Sequence, residues 1–139
     1  MALRFIDGFD HYAIPSQLPL KYTSYNDSGG SSGITTTTGR RSGSTALLFR
    51  TSADFIGLTF DPQSTWIIGF GLYLLSTETT ELLRFTDEAG TIQGALSIGN
   101  DGTIRVYRNS VTSGTLLATS TNALPILTWN YIEVKLTVA

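Results

Sequence analysis

Apolar and polar side chains alternate without interruption at the end of the chain. Ile132, Val134, Leu136 and Val138 fall on one side, and Tyr131, Glu133, Lys135 and Thr137 on the other. That period of two belongs to a β-strand with one buried and one wet face. It recurs along the sequence, and no segment shows the i, i+3, i+4 spacing of an amphipathic helix. In residues 92–98, Ile92, Leu96 and Ile98 share a face with Gly94, opposite Gln93, Ala95 and Ser97. Residues 103–108 return with Ile104 and Val106 inward. Residues 66–75 are apolar on both faces, which predicts a central strand covered on both sides. Gly69 and Gly71 fall on one of those faces, where a neighbouring sheet or a large side chain can approach closely.

Further strands are predicted at 35–38, from 46 onward, at 82–86 and at 115–119. Between them lie turn signals, the sharpest being Gly99-Asn100-Asp101-Gly102, because glycine and asparagine tolerate the positive φ of tight turns. Short strands at intervals of roughly ten residues predict an all-β fold, an antiparallel β-sandwich or barrel.

Composition narrows the function classes. The 139 residues carry 14% charged side chains, against roughly 25% for an average domain, with a net charge of −2. No basic footprint for nucleic acid or anionic lipid exists. Cys 0 excludes disulfides and thiolate metal sites. No apolar run approaches the ~20 residues of a membrane-spanning helix, so no membrane insertion is expected. Met1 is not followed by a basic segment and an apolar run of signal-peptide type. The expectation is a single domain over 1–139 that starts at Met1 and stops within a strand. A Gly/Ser-rich flexible loop about 26–43 interrupts it, carrying Arg40 and Arg41.

Five segments resemble a known group. They are the opening Phe5-Ile-Asp-Gly-Phe-Asp-His-Tyr12, the loop with Arg40 and Arg41, and the strand Trp66 to Phe70. The others are the hairpin at Asp101-Gly102 and the end segment from Leu124-Pro125 through Trp129 to Lys135. The chain resembles small virion proteins of tailed bacteriophages with a concanavalin A-like (laminin G-like) jelly roll. The resemblance implies a jelly-roll sandwich, location in the virion after synthesis in the host cytoplasm, and further strands beyond Ala139. One of these would lie beside the N-terminal strand.

Polysaccharide-cleaving enzymes of the concanavalin A-like class use two carboxylates on one strand face. The nearest pairs here, Glu78 with Glu81 and Asp87 with Glu88, are assigned to turns. His11 is the sole histidine, and Asp10 faces away from it on an extended strand. No catalytic residue is therefore assigned, and the chain is not expected to be an enzyme. The resemblance also raises calcium, for which Asp7, Asp10, Asp54, Asp61, Asn100 and Asp101 are the oxygen-bearing candidates. Ordinary turn and strand-end carboxylates account for them better, because no dense acidic loop of the D-x-D-x-D type exists, so no cofactor is assigned. Trp66 and Trp129 are expected in the core, and Tyr12, Tyr22, Tyr25 and Tyr107 at the surface.

The expected function is non-enzymatic: a head decoration, tail or fibre-associated component acting through contacts with other virion proteins. A homo-oligomer is expected, with a trimer as the first arrangement. The N-terminal strand, left without its neighbour, supplies the partner-binding candidates Phe5, Asp7, Phe9, Asp10, His11 and Tyr12. Arg40 and Arg41 are added from the loop, which reads either as a solvent-exposed excursion between strands or as a partner-facing loop. The alternative is a carbohydrate-binding module that recognises a host-surface glycan through loops at 26–33 or 87–90.

Overall fold

The computed structural model describes residue 9, residues 15–27 and residues 34–137. These hold one 3-10 turn, Pro15–Leu20, and no α-helix. The strands are β1 (Ser24–Asn26), β2 (Thr35–Thr38), β3 (Thr45–Leu48), β4 (Phe55–Gly57), β5 (Thr65–Tyr73), β6 (Thr80–Thr86), β7 (Ile92–Ile98), β8 (Thr103–Arg108), β9 (Thr115–Ala123) and β10 (Trp129–Thr137). Every strand pairing among the described residues is antiparallel. The fold is all-β, as the period of two requires. The chain divides into two compact units, Met1–Ser64 with Ala139 and Thr65–Val138.

The first unit is built around Leu18, Tyr22 and Ile34, against which Phe9, Leu47, Ile56 and Leu58 pack. Proline at 15 and 19 presets φ near the 3-10 value, so the 15–20 segment coils without helical sequence periodicity. The turn closes where Lys21 and Tyr22 donate their amides to the Leu18 carbonyl at 3.0 and 2.9 Å. The Phe9 and Tyr22 rings stack with centroids 6.5 Å apart. Tyr22 is only 7% exposed, which corrects its assignment to the surface. Its ring is the largest apolar body available to close so short a turn. β1 pairs with β4, and β2 with β3. The β2–β3 hairpin carries Arg40 and Arg41 at its exposed tip, where Ser44 Oγ donates to the Arg41 carbonyl at 2.8 Å.

In the second unit, β6, β7, β8 and β9 form one sheet in that order, and β5 pairs with β10 from Trp129↔Tyr73 to Thr137↔Thr65. β7 is central, and residues 94–98 are buried on both of its faces. Directly paired residues share a sheet face. Leu96 therefore joins Leu83 and Val106, and Ile98 joins Ile104, in one apolar layer. The inner row of β10, formed by Ile132, Val134 and Leu136, meets that layer: a Cβ added to Gly94 would lie 3.8 Å from Leu136 Cδ1. Two antiparallel sheets layered in this way give the unit a sandwich-like form.

A further expectation fails. Residues 66–75 do not form a strand covered on both sides. Among the described residues β5 pairs only with β10, and Ile67 and Tyr73 on its outer face are exposed. On that face rings from β10 lie over Gly69 and Gly71 and beside Tyr73, and Ile67 stays exposed.

The β7–β8 turn forms as its sequence predicts. Gly102 donates its amide to the Gly99 carbonyl at 2.9 Å, and its φ of +77° lies in the left-handed region that glycine adopts without steric cost. A Cβ there would also press on the Ala123 methyl group at 3.1 Å.

Candidate binding surfaces

Gly69 and Gly71 on β5 make room for the aromatic rings of β10. The β5–β10 register places Gly71 opposite Tyr131 and Gly69 opposite Glu133. Tyr131 leans diagonally, so a Cβ on Gly69 would meet its hydroxyl and would stand 3.1 Å from its Cζ. Trp129 leans the same way, and its six-membered ring would stand 3.5 Å from a Cβ on Gly71. Tyr73 completes the group, with its ring centroid 5.4 Å from that of Trp129 and the planes at 57°. Rings covering strand glycines protect the backbone and fix their own orientation. The result is an aromatic platform on the wet face of a sheet, with Tyr131 66% exposed.

Trp129 therefore belongs to this outer face, not to the core. Its position parity with Tyr131 and Glu133 was visible in the sequence, but a tryptophan heading an apolar strand suggested burial. Trp66, half-buried, occupies the opposite face of the pair with Ile68 and Phe70.

The face of the four-stranded sheet away from its apolar layer is a second, partly covered surface, with Ala95 and Ser97 buried at its centre. Glu81, Ser97, Arg105 and Thr119 form one cross-strand row, and Arg84, Ala95 and Tyr107 the next. Glu81 and Arg84 are separated by an odd interval and would face opposite ways in a regular strand. A bulge between Glu81 and Leu83 inserts one extra residue and returns both to one face. Arg84 Nε then donates to Glu81 Oε1 at 2.7 Å. This corrects the assignment of Glu81 to a turn. Its carboxylate is bound to an arginine, and Glu78 lies in the exposed loop before β6, so the two do not form an acid pair on one strand face.

Asp101 anchors the end of this surface. Its Oδ1 accepts from the Thr103 hydroxyl at 2.7 Å and the Thr103 amide at 3.0 Å, and its Oδ2 from Arg105 Nη2 at 3.0 Å. The Thr103 hydroxyl, followed by the Thr103 amide and assisted by Arg105, lowers the Asp101 pKa from its ordinary 3.8 to about 2. The same carboxylate raises the pKa of Arg105. A carboxyl with a depressed folded-state pKa favours folding fully above its unfolded value, and this contribution is lost as pH falls through the folded value. An NMR titration of the Asp101 carboxyl carbon is expected to show a midpoint near pH 2. In Thr103→Val the midpoint should move toward 3.8; an unchanged midpoint would refute the assigned cause.

The remaining candidates are dispersed. Asp54 is buried and accepts from the amides of Arg50 and Thr51 at 3.1 and 3.0 Å, which closes the loop between β3 and β4. Asp87 accepts from the Thr91 amide and from Gln93 Nε2, both at 2.8 Å, which holds its own turn together. Asp61 is exposed. Among the described residues no group of three His, Asp or Glu side chains is placed to hold a metal ion. No described helix is long and apolar enough to cross a membrane. Tyr25 is exposed as expected, and Tyr107 is half-buried. Phe9 is half-buried against Tyr22. Phe5, Asp7, Asp10, His11 and Tyr12 lie outside the described residues, as does most of the loop at 26–33.

No protein-family model matches the chain, and no curated protein or solved structure matches it either.

Proposed function

We propose that the chain is a non-enzymatic structural component of a phage particle, a head decoration, tail or fibre-associated protein that acts through protein–protein assembly. The resemblance of the five sequence segments supplies the particle. The observation that carries assembly is β9. It is a nine-residue strand without a charged residue, exposed at nearly every position, with Leu116 and Leu117 50% and 54% accessible. Among the described residues it has β8 on one side and no strand on the other. An apolar edge without charged gatekeepers favours coverage by another chain. Mass spectrometry of purified particles is expected to find this chain at stoichiometric abundance. Its confinement to the particle-free lysate of infected cells would overturn the reading.

The Tyr73–Trp129–Tyr131 platform supports a second reading, recognition of a host-surface glycan. Flat, oriented aromatic rings stack against the C–H faces of sugars, and Glu133 and Lys135 stand beside them for hydroxyl groups. A glycan array is expected to show hits that Tyr131→Ala loses, with or without calcium. An array without hits under both conditions removes this reading.

A further inference from the structure

We propose that a second copy of this chain pairs antiparallel with β10, centred on Val134. Glu133 of each copy then faces Lys135 of the other. This inference rests on the assembly reading and assigns it a self-contact. β10 is paired with β5 at every position from 129 to 137 without a register shift, and among the described residues no strand lies on its other side. It is thus a long, regular edge. β9 also offers an edge, but two register shifts interrupt its ladder with β8, so β10 is the more regular template for an identical strand.

Charge complementarity selects the occupant. Glu133 and Lys135 are exposed, project from the same face two positions apart, and form no ion pair among the described residues. An antiparallel pair in which Val134 meets Val134 sets Glu133 against Lys135 twice. It also sets Ile132 against Leu136 on the opposite face, which carries the apolar inner row across the contact. Tyr131 then meets Thr137. Moving the centre to residue 133 or 135 would bring two glutamates or two lysines face to face. Moving it by half a step would place apolar against wet positions, because the side-chain period is two. Only the Val134-centred register among these satisfies charge and face together. Self-complementarity of this kind is what a two-fold contact requires.

Sedimentation equilibrium of the full chain tests the pairing. The wild type is expected to form a dimer that weakens with added salt. Lys135→Glu sets glutamate against glutamate at both contacts and should raise the dissociation constant by about tenfold or more. The double exchange Glu133→Lys with Lys135→Glu recreates the complementary pairs and should restore dimerisation to within about threefold of wild type. Circular dichroism of each variant shows that the strands persist. A monomeric wild type, a Lys135→Glu variant as tight as wild type, or a double exchange as weak as the single one would overturn the proposal. A monomer that is nevertheless found in purified particles overturns this contact and leaves the assembly reading standing.

Discussion

Ile98→Ala is expected to lower the free energy of unfolding by about 2–5 kcal/mol. Ile98 is 1% exposed, sits on the central strand β7 and pairs with Thr80 on one side and Ile104 on the other. Truncation removes buried methyl and methylene groups and leaves a space that strands fixed on both sides cannot collapse to fill. Urea denaturation followed by tryptophan fluorescence measures the effect. A loss below about 1 kcal/mol would show that the centre of the core lies elsewhere.

Ser97→Ala is expected to act in the opposite direction, raising the free energy of unfolding by about 1 kcal/mol. Ser97 is next to Ile98 but points to the other face of β7, between Glu81 and Arg105 in register. Its side chain is fully buried and its hydroxyl has no hydrogen-bond partner among the described residues. In the unfolded chain that hydroxyl is bonded to water, so folding carries a desolvation cost without a compensating bond. Alanine removes the cost and leaves only a small void. The same denaturation series checks this, and a destabilised Ser97→Ala protein would show that the hydroxyl is in use. Adjacent residues on one strand would thus give changes of opposite sign, because the two faces of β7 meet different chemistry.

Much of the fold was legible because strand periodicity is local. The alternation at Ile132, Val134 and Leu136 matches the buried and half-buried row of β10. Gly99 to Gly102 form the predicted turn, with Gly102 alone of the four at positive φ, and Thr35–Thr38 is a strand as predicted. The failures share a cause. Trp66 to Leu75 looks covered on both faces because apolarity signals contact without naming the partner; on the outer face rings from β10 cover Gly69 and Gly71 and Ile67 stays exposed. Tyr22 looked exposed for want of any local sign that two prolines would fold it onto Leu18. Glu81 looked like a turn residue because a bulge leaves no mark in a period-two pattern.

The residues themselves dictate an all-β chain, the positions of most strands and the existence of a glycine-bearing face on β5. Those properties depend on φ preferences and on the two-residue repeat, which act over a few neighbours. Tertiary structure decides which strands pair and in what register. That choice lays Trp129 over Gly71 and Tyr131 over Gly69, seats Glu81 beside Arg84, and gives β10 the strand β5 on one side and, among the described residues, no strand on the other. Register is a relation between segments distant in sequence. It is set by the best joint burial of both strands, a quantity that neither strand carries alone.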